Sequence, residues 1–168
     1  GRDLIGSEPV FADAISEIDR AYRSHVEWSL HEVLIGEDQV DWNERLEVLQ
    51  PVLIAIEIAL AVLWKSWGIR PSRVIGQSMG EVAAAHIAGA IDLDSMALIA
   101  CERGRAVSRA SGQGGMAVIS LSREAVAEKL SSAGPGIEIA GVNSPTTTIV
   151  SGDRDSVLRF MDALEAEG

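Results

Sequence analysis

Cysteine is nearly missing from the chain: Cys101 stands alone among 168 residues. It has no partner to pair with, so secretory disulfide scaffolds, thiolate zinc sites and CxxC redox motifs are excluded, and a reducing compartment, by default the cytoplasm, is expected. Basic residues are short as well, 14 against 25 acids, for a net charge of -11. Coating a nucleic-acid backbone requires clustered Lys and Arg, so that class of binder is excluded. Long apolar runs are lacking too. The longest, Val52 to Trp64, carries Glu57 in its middle and falls short of the roughly 20 residues a bilayer span needs, so it is expected to be a buried helix. No hydrophobic leader follows Gly1-Arg2-Asp3, so no signal peptide is visible; without an initiator Met the chain reads as a piece of something longer.

What remains is 47% hydrophobic, enough for a globular core that buries roughly two-thirds of the unfolded surface without metal or disulfide. The charge is unevenly spread. Residues 1 to 50 hold 12 acids and 4 bases, whereas Lys65, Arg70 and Arg73 stand together before residue 76, and Arg103, Arg105, Arg109 and Arg123 outnumber Glu102 further on. Helix ends and solvated faces account for such residues one by one. As a pair of basic stretches flanking one site, they also suit an anionic substrate or an acidic partner.

The glycine-rich step Ser111-Gly112-Gln113-Gly114-Gly115 divides the chain into residues 1–114 and 115–168. In the first part Val10, Phe11, Ala14, Ile15 and Ile18 recur at helical spacing. A loop from Gly36 to Trp42 is expected next, then a helix opened by Gln50-Pro51 and stopped by Gly68. Arg73-Val74-Ile75 reads as the end of a buried strand. Val82 to Ala90 reads as another buried helix, and Asp94 or Ser95 as the cap of the next. The second part reads as strand 116–121, helix 123–132, strand 137–142, strand 147–150 and helix 155–165. That β-α-β-β-α order is one strand short of a ferredoxin-like unit.

Gly76-Gln77-Ser78-Met79-Gly80 fits G-x-S-x-G between a predicted strand and a predicted helix, the setting of a nucleophile elbow. A sharp turn there exposes the Ser78 hydroxyl, side chains at 76 and 80 are expected to clash with neighbouring backbone, and the Met79 amide faces a developing oxyanion. Ser78-Met79-Gly80-Glu81 equally fits an S-x-x-E capping box, in which the serine only caps a helix. On the helix from Ser95 to Ala110, the stripe Met96, Ile99, Ala100, Arg103, Ala106, Val107 and Ala110 places Arg103 on the apolar face. Such a guanidinium meets either an internal carboxylate or the carboxylate of a substrate. No base is visible nearby. His86 lies about 12 Å along the helix from Ser78 at the usual rise per residue and reads as a satisfied core histidine, and His25 and His31 as surface residues.

Taken together these segments resemble the malonyl-CoA-type acyltransferase domains of modular polyketide synthases and fatty acid synthases. The resemblance rests on Gly1-Arg2-Asp3-Leu4, Glu8-Pro9-Val10-Phe11, Leu49-Gln50-Pro51, Gly76 to Glu81, the Arg103 helix, Gly114-Gly115-Met116, and Val142-Asn143-Ser144-Pro145 through Val150-Ser151-Gly152-Asp153. It implies an α/β fold, with a partial hydrolase-like large subdomain at 1–114 and an inserted ferredoxin-like small subdomain at 115–168. It further implies that Ser78 takes an acyl group from a CoA thioester and passes it to the phosphopantetheine thiol of an acyl carrier protein. Arg103 would hold the free carboxylate of the extender unit, Met79 would supply an oxyanion N–H, and Gln50 and Gln77 would border the substrate. No bound cofactor or metal is implied; the expected partners are malonyl- or methylmalonyl-CoA, the carrier protein and neighbouring synthase domains.

The chain departs from the family in three respects. Gln77 replaces the usual His, and both the glutamine-bearing oxyanion loop and the general-base histidine are expected outside residues 1–168, so the piece alone is expected to be inactive. Arg45-Leu46-Glu47-Val48-Leu49-Gln50 resembles the methylmalonyl-selecting version more than the malonyl one. Two other readings keep their place: a lipase-like or thioesterase-like serine hydrolase built on the same elbow, and a docking or structural piece without catalysis.

Overall fold

The computed structural model describes residues 1–37 and 45–167; beyond residue 37, the loop expected from Gly36 to Trp42 lies outside them. The chain forms two compact units, Gly1–Arg109 and Ala110–Gly168. The first is helical: α1 (Arg2–Ser7), α2 (Pro9–Tyr22), α3 (Leu30–Ile35), α4 (Leu46–Ser66), α5 (Gly80–Ile87) and α6 (Leu93–Ala110). The second carries β1 (Gly115–Ile119), α7 (Arg123–Ala133), β2 (Ile137–Ser144), β3 (Thr147–Gly152) and α8 (Arg154–Glu167).

The stripe read from the sequence is the buried face of α2. Phe11, Ala14, Ile15, Ile18 and Tyr22 are buried, while Val10 lies outside the stripe and is exposed. Opposite them α4 buries Val48, Val52, Ile54, Ala55, Ile58, Ala59 and Leu63. Each Val, Leu, Ile or Phe among them contributes about 1.5 to 3 kcal/mol by leaving water. The Tyr22 hydroxyl donates to the Pro51 carbonyl at 2.9 Å and stands 3.9 Å from the Met96 sulfur, which links α2, α4 and α6 at one buried point. Burial pushes the neighbouring Cys101 thiol up to about 11, so it remains a protonated core side chain.

A second polar tie sits at Asp19, itself buried. Its carboxylate accepts from the Leu30 amide at 2.6 Å, the Ser29 hydroxyl at 3.3 Å and Arg23 at 3.0 Å. Ser29 in turn accepts from the Glu32 amide, so the short helix α3, which has no strong stripe in the sequence, is fixed by its N-terminus.

Several expectations are corrected. The helix expected from Pro51 begins a turn earlier, at Leu46, because Arg45 is extended and its carbonyl accepts from both the Val48 and Leu49 amides. Pro51 therefore lies inside α4, where its missing N–H leaves the Glu47 carbonyl without the usual partner. At 21 residues α4 is long and apolar enough to cross a membrane, yet half of its most apolar stretch is buried in the core, as expected of a core helix. Arg73-Val74-Ile75 forms no strand: the backbone has no ladder partner among the described residues, and Ile75 is 97% exposed. β-branched composition favours a pleated strand but does not supply its neighbour. The helix expected over Val82 to Ala90 runs from Gly80 to Ile87 and buries only Val82 and Ala83. Neither Asp94 nor Ser95 caps α6; Asp92 does, accepting from the Ser95 amide at 2.8 Å.

The second unit keeps the β-α-β-β-α order read from the sequence. Its sheet runs β1-β3-β2 with both pairings antiparallel, Ala117 and Ile139 both facing Val150. Ile119, Val126, Ile137, Val150, Val157 and Phe160 form its core between the sheet and α7 with α8.

Replacing Asp19 with Ala strands the buried Leu30 amide, and a loss of about 2 to 3 kcal/mol is expected. Urea unfolding would show it as a lowered midpoint, with most of the stability retained in Asp19→Asn, which keeps one acceptor oxygen.

Candidate active site

The turn at 76–80 exists because residue 76 has no side chain. A β-carbon there would lie 2.3 Å from the Gly80 carbonyl oxygen and 2.4 Å from the Glu81 nitrogen, closer than atoms can approach. The backbone thereby doubles back tightly enough to put Ser78 at φ 55°, the one non-glycine residue with positive φ among those described. Such a conformation costs on the order of 1 to 3 kcal/mol and is kept only when its surroundings enforce it. The clash expected at residue 80 is not found. A β-carbon there would meet only the Glu57 carboxylate, at an ordinary 3.9 Å.

Ser78 does not cap the following helix. The N-cap of α5 is Met79, with no side-chain cap hydrogen bond. The first turn closes on backbone: the amides of Gly80, Glu81 and Val82 donate to the carbonyls of Gln77, Ser78 and Met79. The capping-box reading is thus set aside, and the hydroxyl is left exposed for other use. The Met79 amide lies just ahead of those bonded amides, at the N-terminal end of α5. Gln77 is on the exposed side of the turn.

Arg103 reaches this hydroxyl from α6. Its Nη2 donates to Ser78 Oγ at 2.8 Å, and its Nη1 donates to Gln50 Oε1 on α4. Gln50 is buried, so the guanidinium is anchored on one side by a fixed amide and on the other touches the hydroxyl. The buried stripe of α6 is Met96, Ala97, Ala100, Cys101 and Gly104, rotated from the expected one; Ile99 and Ala106 are exposed, and Arg103 borders the stripe half-buried. The rotation follows from Gly104, whose absent β-carbon would lie 3.1 Å from Glu47 Cα and 3.3 Å from the Glu47 carbonyl. At that crossing α6 packs on the carbonyl that Pro51 leaves unpaired, and Arg103 arrives beside Gln50.

Among the described residues no carboxylate pairs with Arg103. The nearest candidate in the chain order of α4, Glu47, is committed elsewhere: the hydrogen bond from Arg45, then its own backbone amide and Ser108, hold its carboxyl down at about 2. Arg105 is likewise paired, with Glu102. Glu57, one face-repeat along α4 from Gln50, borders a cavity of ≈ 420 Å³ with Val74, Ile75, Gly76, Gln77 and Gly80. Partial loss of hydration there raises its carboxyl above the usual range. The sequence showed Glu57 only as an interruption of an apolar run, with nothing to place it beside the turn.

The histidines are elsewhere. The His86 Nδ1 lies 3.1 Å from the Ile91 carbonyl, so the ring is satisfied as expected, but it is half-buried rather than in the core, and His25 and His31 are half-buried rather than fully on the surface. Among the described residues no histidine hydrogen-bonds Ser78. Of the sequence candidates, then, the fold brings together Ser78, Arg103 and Gln50, keeps Met79 and Gln77 on the same turn, and leaves the three histidines apart.

The family model described as acyl transferase domain matches residues 1–168. Polyketide synthase GfsE of Streptomyces halstedii is 42% identical over 167 residues, which is 99% of this chain and 4% of that protein. The acyltransferase domain from module 8 of the salinomycin polyketide synthase superimposes with a TM-score of 0.91 at 38% identity, covering 98% of this chain and 39% of that one. A malonyl-transacylase solved in complex with its type II acyl-carrier protein gives a TM-score of 0.84 at 26% identity, covering 99% of this chain and 54% of that one. The chain thus spans a small fraction of the synthase and about two-fifths to half of the solved chains, whose α/β architecture it shares.

The two glycines of the turn are expected to respond oppositely to one methyl group. Gly76→Ala forces backbone apart and is expected to cost several kcal/mol. Gly80→Ala, by contrast, stays within about 1 kcal/mol of the parent, since alanine favours helix. Thermal unfolding of the two variants separates these outcomes.

Proposed function

The chain belongs to the acyl transferase domain family, and on that premise we propose that it is part of a polyketide synthase acyltransferase, a soluble cytoplasmic domain that moves a carboxylated extender unit from CoA to an acyl carrier protein. The observation that carries this reading is the contact between Arg103 and Ser78. A fixed cation touching an exposed serine hydroxyl suits an acyl group whose far end is an anion. A hydrolase of neutral esters has no use for it. The finer fold reading goes with this function: residues 1–114 as part of a hydrolase-like subdomain and 115–168 as a ferredoxin-like one.

In the first half-reaction Ser78 Oγ attacks the thioester carbonyl. The O–C bond forms, the C–S bond breaks, and the proton lost by the hydroxyl ends on the departing CoA thiol. The phosphopantetheine thiol of the carrier then reverses these steps and leaves Ser78 free. Two exchanges between ester and thioester replace one direct transfer, and the overall change, one thioester for another, is nearly balanced in energy. The Met79 amide, on the positive end of α5, stabilises the oxyanion in both. Arg103 binds the extender carboxylate and so orients the carbonyl over the hydroxyl. Gln50 acts on Arg103, holding its guanidinium in place, and Gln77 flanks the acyl group at the open side. The malonyl-transacylase seen with its carrier protein supports a carrier as partner, and the 45–50 stretch favours methylmalonyl over malonyl. Proton transfer by a positioned base contributes about 10² to 10⁴ in rate. With no histidine bonded to Ser78, the 168 residues alone are expected to react slowly.

Prolonged incubation with malonyl-CoA or methylmalonyl-CoA, read by mass spectrometry, is expected to acylate Ser78, methylmalonyl faster. Arg103→Ala should lower labelling by these donors about 100-fold, the scale of a lost charge-assisted pair, with no fall, and at most a rise, in labelling by acetyl-CoA. Label that persists in Ser78→Ala, or carboxylated and acetyl donors falling together in Arg103→Ala, would overturn the proposal.

A further inference from the structure

Arg103 has two partners in the described structure, and both are neutral. Gln50 takes one N–H and the Ser78 hydroxyl takes another, on Nη2. A serine oxygen has two lone pairs, and attack on a carbonyl uses one of them. In the chain as it stands, a charged donor therefore already occupies part of the oxygen that is to react. A carboxylate is a much better acceptor for a guanidinium than a hydroxyl is, because bonds between charged partners are roughly twice as strong as neutral ones. No carboxylate among the described residues competes for this position.

We propose that Arg103 guards Ser78: its Nη2 sits on the hydroxyl until the carboxylate of an incoming acyl group draws it away. This rests on the reading of Arg103 as the carboxylate clamp and adds a second layer of selection to it. A carboxylated donor both binds the cation and unmasks the nucleophile. A neutral acyl group finds the oxygen still engaged. Gln50 keeps the guanidinium from swinging away altogether, so the exchange takes place over one side chain's reach.

Competition for one N–H has a thermodynamic consequence. If the hydroxyl and a carboxylate share Nη2 in turn, removing the hydroxyl must strengthen carboxylate binding. Malonate, which cannot acylate the enzyme, serves as the probe, with malonamide as its uncharged counterpart, both measured by calorimetry on the 168-residue chain. Ser78→Ala and Ser78→Gly are both used, because glycine adopts the positive φ of residue 78 without strain and so protects against a folding defect. Both variants are expected to bind malonate about tenfold more tightly than the parent, the scale of one hydrogen bond to a charged group, with malonamide unchanged and malonate binding lost in Arg103→Ala. Malonate bound no more tightly by either Ser78 variant overturns the guard while leaving the clamp intact. Malonate bound by none of the three Arg103-containing chains, or bound regardless of Arg103→Ala, overturns both.

Discussion

At residue 76 two stretches of backbone approach so closely that no side chain fits between them. A β-carbon would fall 2.3 Å from the Gly80 carbonyl oxygen, and the rest of the site is built on this contact. It forces the chain to turn within a few residues, and the turn holds Ser78 at φ 55° with its hydroxyl outward. It also starts α5 immediately after Ser78, so the helix closes its first turn on backbone carbonyls without using the serine side chain. Strain at one residue is thereby exchanged for an exposed oxygen beside the positive end of a helix.

The cation is placed by a second close approach. Gly104 lets α6 pass over the start of α4, near a carbonyl that Pro51 cannot bond. That crossing sets Arg103 between Gln50 and Ser78. Its nearby potential partners are already paired: Glu47 with Arg45, and Glu102 with Arg105. Among the described residues this half-buried guanidinium is served by neutral acceptors alone, which is what the proposed role of meeting an anion from outside requires. The core behind it, tied through Tyr22, Pro51 and Met96, gives α4 and α6 the rigidity this placement requires.

Sequence reading reached the features set by local pattern. The α2 stripe, the G-x-S-x-G turn and the strand and helix order of the second unit each follow from periodicity or spacing within a short window. The features it missed depend on partners distant in the chain. Arg73-Val74-Ile75 has strand composition, but pairing is a property of two segments, and the described residues offer no second one. Pro51 looked like a helix start because proline is common there; the extended Arg45 began α4 earlier. Gly80 belonged to the motif, yet the room around it depends on Glu57 from another helix. The apolar stripe of α6 was displaced because Gly104, silent on a hydrophobicity pattern, marks its tightest contact. On sequence pattern alone Arg103 fits either an internal or an external anion; the structure places Gln50 and Ser78 beside it, both neutral and both distant in the chain.

A crystal structure of the chain, refined finely enough to fix side-chain rotamers at the turn, would test the account most directly. It should show residue 78 in the left-handed region with Arg103 Nη2 in hydrogen-bond contact with Oγ. A serine with negative φ whose hydroxyl caps the Glu81 amide, or an Arg103 paired with a carboxylate of its own chain, would contradict it.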